Sequence, residues 1–216
     1  MNTQYARLQM VNQQVRGWNV YNEDVLAMLK ELPREHYMPK GFESLAFADT
    51  AIPIGHGEYM MTPTIEGRLL QALSLEGNEK VLEIGTGSGF MTACLAHLAD
   101  HVTSIDIHAD FIEAANTRLA DEGISNVELL QMDATQELPE GGFDAIAVTG
   151  SIEIFDPRYV EALNPHGRLF VVTGTSPAMH AKLIERTEEH DWQTVSLFET
   201  DLAPLVHGEL PPQFSF

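Results

Sequence analysis

Val81-Leu82-Glu83-Ile84-Gly85-Thr86-Gly87-Ser88-Gly89-Phe90 is the stretch on which the fold turns. It opens as a short apolar run of strand type, entered at Lys80, and breaks into glycines at three alternate positions. Phe90 to Leu98 follows with apolar residues at helical spacing. Strand, glycine turn and helix make the layout of a nucleotide-binding βα unit. Glycine reaches positive φ and lets the backbone approach a ligand with no Cβ between them. The helix that follows aims its free N–H groups at that ligand.

The next sixty residues fit the same unit. His101 to Ile107, HVTSIDI, reads as a second buried strand ending in Asp106. An acid about 20 positions after the glycine turn is placed to bond ribose hydroxyls. Val127 to Gln131 reads as a third strand, followed at once by Met132-Asp133-Ala134, and Phe143 to Thr149 as a fourth, opened by Asp144. Asp106, Asp133 and Asp144 are expected as a constellation of acids at successive strand ends. A dinucleotide fingerprint would place its third glycine at position 90, where this chain has Phe90. The spacing here is E-x-G-x-G-x-G, which resembles motif I of the class I methyltransferases, the enzymes that bind S-adenosylmethionine. The resemblance implies a cofactor site made of Glu83, Gly85, Thr86, Gly87, Ser88 and Gly89. Asp106 with Ile107, Asp133 with Ala134, and Thr149 complete it, with Asp133 meeting the adenine amino group. A carboxylate at the strand end also suits an ammonium and a sulfonium better than a pyrophosphate.

The 216 residues allow one α/β domain with a sizeable core. No apolar run has membrane length, and the N-terminus carries no basic-then-apolar signal pattern. With the single cysteine, Cys94, this points to a cytoplasmic location. Twelve basic against 32 acidic residues give a formal net charge of −20. Such a surface repels phosphate backbones, so nucleic acid is excluded as the expected partner. None of the nine histidines sits in a metal-ligand motif, and no metal is expected.

Along the chain, helices are expected over residues 3–16, Glu23 to Leu32 behind the cap Asn22, and Thr64 to Leu73 behind Thr62-Pro63. Gly41 to Gly57 reads as an irregular loop. After the core strands come a helix over Asp110 to Glu122, a short one over Pro157 to Leu163, and a fifth strand, Leu169 to Thr173. Residues 177–189 read as a helix, and Trp192 to Thr200 and Leu202 to Val206 as late strands. Alternating strands and helices give an α/β class, a doubly wound, mostly parallel Rossmann-like sheet with an N-terminal helical extension. One domain is expected over 1–216. Residues 1–75 would supply N-terminal helices and a substrate loop, and 76–216 the core.

Residues 10–39, with Pro33, Arg34, Tyr37 and Pro39 at their close, resemble the opening of the protein-L-isoaspartate O-methyltransferases. AFADTAIP (46–53), NPHGRLFVVTG (164–174) and Ala203-Pro204-Leu205-Val206 are similar to that family as well. The resemblance implies methyl transfer from S-adenosylmethionine to the carboxylate of an isoaspartyl residue in a protein or peptide. One departure stands out. The family's substrate loop reads G-x-T-I-S-x-P, and this chain reads Gly57-Glu58-Tyr59-Met60-Met61-Thr62-Pro63. Met61 therefore stands where the resemblance implies a serine that contacts the substrate, and Thr62 is the neighbouring hydroxyl. A carboxylate losing that donor loses about 1.5–3 kcal/mol. Arg34, His36 and His56 are the candidate positive partners for a carboxylate. Two other readings share the fold: a methyltransferase with a changed acceptor, and a cofactor-binding protein without transfer activity. Residues 41–62 have the composition of a lid.

Overall fold

The computed structural model describes residues 3–188 and 191–208. The chain opens with α1 (Thr3–Gln9), which widens into a π-helical stretch over Met10–Val15. α2 (Glu23–Glu31) is capped by Asn22, whose side chain accepts from the amides of Asp24 and Val25. The stretch read as an irregular loop, Gly41 to Gly57, runs into a small hairpin, β1 (Ile52–Gly55) and β2 (Glu58–Met60), with His56 and Gly57 at its turn. α3 (Pro63–Leu73) begins with proline, where no amide hydrogen is needed.

The core runs β3 (Lys80–Ile84), α4 (Phe90–Leu98), β4 (His101–Asp106), α5 (Ala109–Asp121) and β5 (Val127–Gln131). It continues with β6 (Phe143–Ile152), α6 (Arg158–Glu161), β7 (Leu163–Thr175), β8 (Ala178–Arg186) and β9 (Trp192–Thr200). The sheet has the order β5-β4-β3-β6-β7-β8-β9. Its first five strands pair in parallel, and β8 and β9 add antiparallel at one edge. The chain winds outward from β3 to β5, then returns to place β6 on the other side of β3. That reversal opens a crevice at the strand C-terminal ends, where such sheets take ligands. Alternation along β3 divides the core: Val81 packs with α3 and α4, and Leu82 and Ile84 pack on the opposite face with Tyr159 and Val160.

Three expectations are corrected. Residues 178–186 are a strand, and residue 189 lies outside the described residues. Ala, Lys, Leu and Glu favour a helix, but Gly174 at φ 120° turns the chain back, and its missing Cβ avoids the Ala178 carbonyl. From Arg168↔Glu185 to Thr175↔Ala178 the strand then pairs with β7, and tertiary pairing overrides local propensity. Leu202 to Val206 is no strand. It touches the sheet by one bridge, Ser151↔Pro204, and is tied there because the Ser151 amide donates to Ala203 and the Leu205 amide to Ser151. Asp144 stands at the start of β6, away from the crevice, where it accepts from the Lys80 amide (2.9 Å) and the Asn164 side chain (2.7 Å).

Candidate functional site

A cleft enclosing about 880 Å³ of space, part of it open to solvent, lies at the C-terminal ends of β3, β4 and β6. Its floor is the glycine turn. Gly85, Gly87 and Gly89 hold φ of 99°, 49° and 82°, values that side chains resist. A Cβ on Gly85 would stand 2.3 Å from the Thr149 hydroxyl, and one on Gly89 would stand 2.9 Å from Ala115. The Thr149 hydroxyl donates to the carbonyls of Ile84 (3.0 Å) and Gly85 (2.7 Å), so the end of β6 anchors the turn. Gly85, Thr86, Gly87, Ser88 and Thr149 all face the cleft. Gly89 does not line it; this residue starts α4.

Asp106 faces the cleft at the tip of β4. Its carboxylate accepts from the amides of Gly87 and His108, each at 2.9 Å, which aims it. Burial pushes its pKa up against those two bonds. Ile107 lies beside it, and Asp133 and Ala134 line the next wall. Asp133 is held by the Thr135 hydroxyl (2.7 Å) and by His207 (2.9 Å). Partial burial works upward on its pKa, but these bonds outweigh it and lower the pKa. The hairpin roofs the cleft with Ile54, Glu58, Tyr59 and Met60, and Met61 follows directly. The late segment closes the other side through Leu202, Leu205 and Val206.

Glu83 stands elsewhere than the sequence suggests. It shares the α4-facing side of β3 with Val81, and its carboxyl accepts from the hydroxyls of Thr92 (2.5 Å) and Ser104 (2.6 Å). It is fully buried beneath the turn and does not line the cleft. Burial, opposed by those two hydrogen bonds, pushes its pKa up to about 8. Thr62 also turns away from the cleft. Its hydroxyl caps α3 by accepting from the Ile65 amide, and it contacts the Thr64 hydroxyl at 3.0 Å. Met61 does face the cleft and is buried.

The candidate cations do not gather there. Arg34 is buried in a two-pronged pair with Glu66, at 3.0 and 2.9 Å, and also donates to the carbonyls of Ala46 and Met61. Glu35, the residue next to it, pairs with Arg7 instead. His36 pairs with Glu122 on the surface, and His56 sits at the exposed hairpin turn against Asp110. Among the described residues, no lysine or arginine lines the cleft, whereas Glu58, Glu66, Asp106 and Asp133 do.

Residues 6–210 match the family model described as Protein-L-isoaspartate(D-aspartate) O-methyltransferase (PCMT). The chain belongs to the protein-L-isoaspartate O-methyltransferase family. A protein of this name from Methanoculleus marisnigri is 33% identical over 213 residues, covering 95% of this chain and 96% of its own. One from Rhodopseudomonas palustris is 35% identical, covering 94% of this chain and 84% of its own. The fold is also that of a Plasmodium falciparum structure, described as a family member in complex with S-adenosyl-L-homocysteine. The match has a TM-score of 0.81 at 19% identity and covers 92% of this chain and 97% of that one. The chain is thus an S-adenosylmethionine-dependent methyltransferase of the class I fold.

The cleft suits that cofactor. Its acidic lining and lack of lysine or arginine favour a ligand with an ammonium and a sulfonium, and oppose a pyrophosphate. Turn backbone bare of Cβ, two aimed aspartates and an apolar remainder provide the rest. Sequence reasoning placed a substrate loop and a lid over residues 41–63 but missed that they fold into a hairpin, because β1 and β2 have only four and three residues. It also missed His207, whose contact with Asp133 joins positions 74 apart. The alternation of Ile52 and Ile54 about Pro53 was the available signal for the hairpin.

Proposed function

We propose that this protein methylates the free carboxylate of isoaspartyl residues in proteins or peptides, the α-carboxylate left when the main chain runs through the β-carboxyl. The amide nitrogen of the following residue then attacks the ester carbonyl and expels methanol, closing a succinimide, whose hydrolysis returns part of the damage to aspartate. What supports the reading is the cleft of a chain in this family: carboxylates aimed across a glycine turn, with no lysine or arginine lining it among the described residues.

Bound S-adenosylmethionine supplies an electrophilic methyl group on a sulfonium, with the thioether as leaving group. In the proposed site Asp106 would accept hydrogen bonds from the ribose hydroxyls and Asp133 from the adenine amino group, with Ile107 and Ala134 as apolar neighbours. Thr149 holds the turn formed by Gly85, Thr86, Gly87 and Ser88 so that its backbone meets the amino-acid end. Glu83 and Gly89 act at one remove, the carboxyl bracing Thr92 and Ser104 under the turn and the glycine admitting α4 close to Ala115. An acceptor carboxylate has a pKa near 4 and is already ionised at neutral pH, so no general base is required. The chain's task is alignment and exclusion of water. Tyr59 and Met61 bound the acceptor end, with the hairpin as the cover. Met61 offers no hydrogen-bond donor to the substrate carboxylate, whereas the Tyr59 hydroxyl beside it does. The surface charge leaves nucleic acid out of the partner set, and a cytoplasmic location accords with the lone buried thiol of Cys94.

The test is incubation with labelled S-adenosylmethionine and a short isoaspartyl peptide, followed by counting base-labile methyl ester, with the aspartyl peptide as control. Ester on the isoaspartyl peptide alone is expected. Tight cofactor binding by calorimetry with no ester would instead favour an altered acceptor, the reading that Met61 motivates.

A further inference from the structure

His56, His108 and Asp110 form a cluster that the methyl-transfer reading does not use. His56 stands at the hairpin turn with φ 53°, a left-handed conformation uncommon for a side-chain-bearing residue. His108 immediately precedes α5, and Asp110 lies in its first turn. The two imidazoles stack at 4.0 Å with 9° between their planes. His56 Nε2 lies 2.9 and 3.1 Å from the two Asp110 oxygens. One ligand atom from each of the three residues falls within 4.8 Å of the others. Phe111 packs edge-on beneath both rings, at 5.3 and 5.2 Å, and fixes their height above α5. A second observation concerns His108 itself. Its Nε2 is shielded from solvent and has no hydrogen-bond partner among the described residues. A buried polar atom left so costs stability unless something else binds it.

We infer that His56, His108 and Asp110 form a binding site for one divalent transition-metal ion, which when bound fastens the β1–β2 hairpin to the start of α5. Two imidazole nitrogens and one carboxylate suit zinc, cobalt or nickel better than calcium or magnesium. In a tetrahedral site with ligands at about 2.0–2.2 Å, ligand atoms stand roughly 3.3 Å apart. The widest present separation, up to 4.8 Å, therefore closes by up to about 1.5 Å once the rings splay from their stack around the ion. The positive end of α5 opposes a cation there. Glu58 and Asp106, both electrostatically close to His108, offset it, as does Asp110. The sequence concealed the site because His56 and Asp110 are 54 positions apart. The consequence lies in the roof of the cleft. The hairpin carries Ile54, Glu58 and Tyr59, so an ion at its turn holds the roof down.

The test uses the full chain, stripped with a chelator, at pH 7.5. Cobalt(II) is titrated while visible absorption and heat are recorded, and zinc is added to displace it. About one cobalt per chain with nitrogen–oxygen coordination is expected. His56→Ala and His108→Ala should each weaken binding by more than the roughly 10–100-fold that loss of a mere outer-shell partner costs. His36→Ala and His207→Ala, which remove the other two histidine–carboxylate pairs, should bind as the parent does. Zinc should also slow amide exchange over residues 54–60 in the parent and leave His56→Ala unchanged. His56 is exposed at a turn, so its variant keeps the fold and decides the matter if His108→Ala does not. Absence of a saturable site, or equal affinity in His56→Ala, overturns the inference.

Discussion

Arg34 is 1% exposed, and its bonds show how one side chain ties distant pieces of chain together. Two of them form a fork onto Glu66, and the others hold the carbonyls of Ala46 and Met61. The guanidinium thus sets where the chain from Ala46 to Met61 runs before α3 begins. Its planar fork matches a carboxylate, so lysine is no substitute. Such a pair contributes little over a well-packed apolar pair, but breaking it is costly because the remaining charge is stranded. Arg34→Ala is expected to destabilise the protein by about 3–5 kcal/mol in urea unfolding, with Arg34→Lys recovering only part. A loss below about 1 kcal/mol, the value of an exposed pair, would mean that Glu66 finds another partner or water.

Among the elements, α3 shows helix propensity and packing in opposition. Gly67 lies within the helix, where alanine would ordinarily gain about 1 kcal/mol. A Cβ at that position would meet Val15 at 2.6 Å and Val20 at 3.3 Å, because the N-terminal π-helical stretch crosses there. Valine is stiff about χ1, and overpacking costs about 1–3 kcal/mol. Gly67→Ala should therefore be net destabilising by up to about 2 kcal/mol, and Val15→Ala added to it should restore part of the loss. A thermal melt of the single and double variants checks this, and a more stable Gly67→Ala would refute the close crossing. The caps of α2 and α3 were legible because Asn22, Thr62 and Pro63 act within three residues of themselves. β8 was not, since its strand character depends on β7 and β9 rather than on its own residues.

Across the whole molecule, charge and burial set the response to pH. Glu83, Glu58 and Asp106 all have pKa values raised by burial. A carboxyl with a raised folded-state pKa binds protons more readily folded than unfolded. Its stabilisation is complete below the unfolded value, near 4.5 for Glu83, and is lost as pH rises towards about 8. One such group contributes a slope of up to about 1.4 kcal/mol per pH unit. Asp133 works in the opposite sense, since its lowered pKa costs stability only on acidification. The formal charge of −20 adds self-repulsion above neutrality. Urea unfolding at pH 6, 7.5 and 9 should show falling stability, with a smaller fall in Glu83→Gln and a partial recovery in salt. A slope unaltered by Glu83→Gln would place the titrating proton elsewhere.

Short-range chemistry was written plainly in the chain. The helix caps act within a few residues of themselves, and the sequence alone determined them together with the glycine turn, the strand run of the core and the placing of Asp106 and Asp133 at strand ends. So too was the family, whose pattern runs over residues 6–210. The tertiary structure decided which face Glu83 takes, where Arg34 spends its donors, and that His56 meets His108 and Asp110. Each of those outcomes depends on segments tens of positions apart. Local preference is worth tenths of a kcal/mol per residue, and the burial and pairing that bring such segments together are worth several.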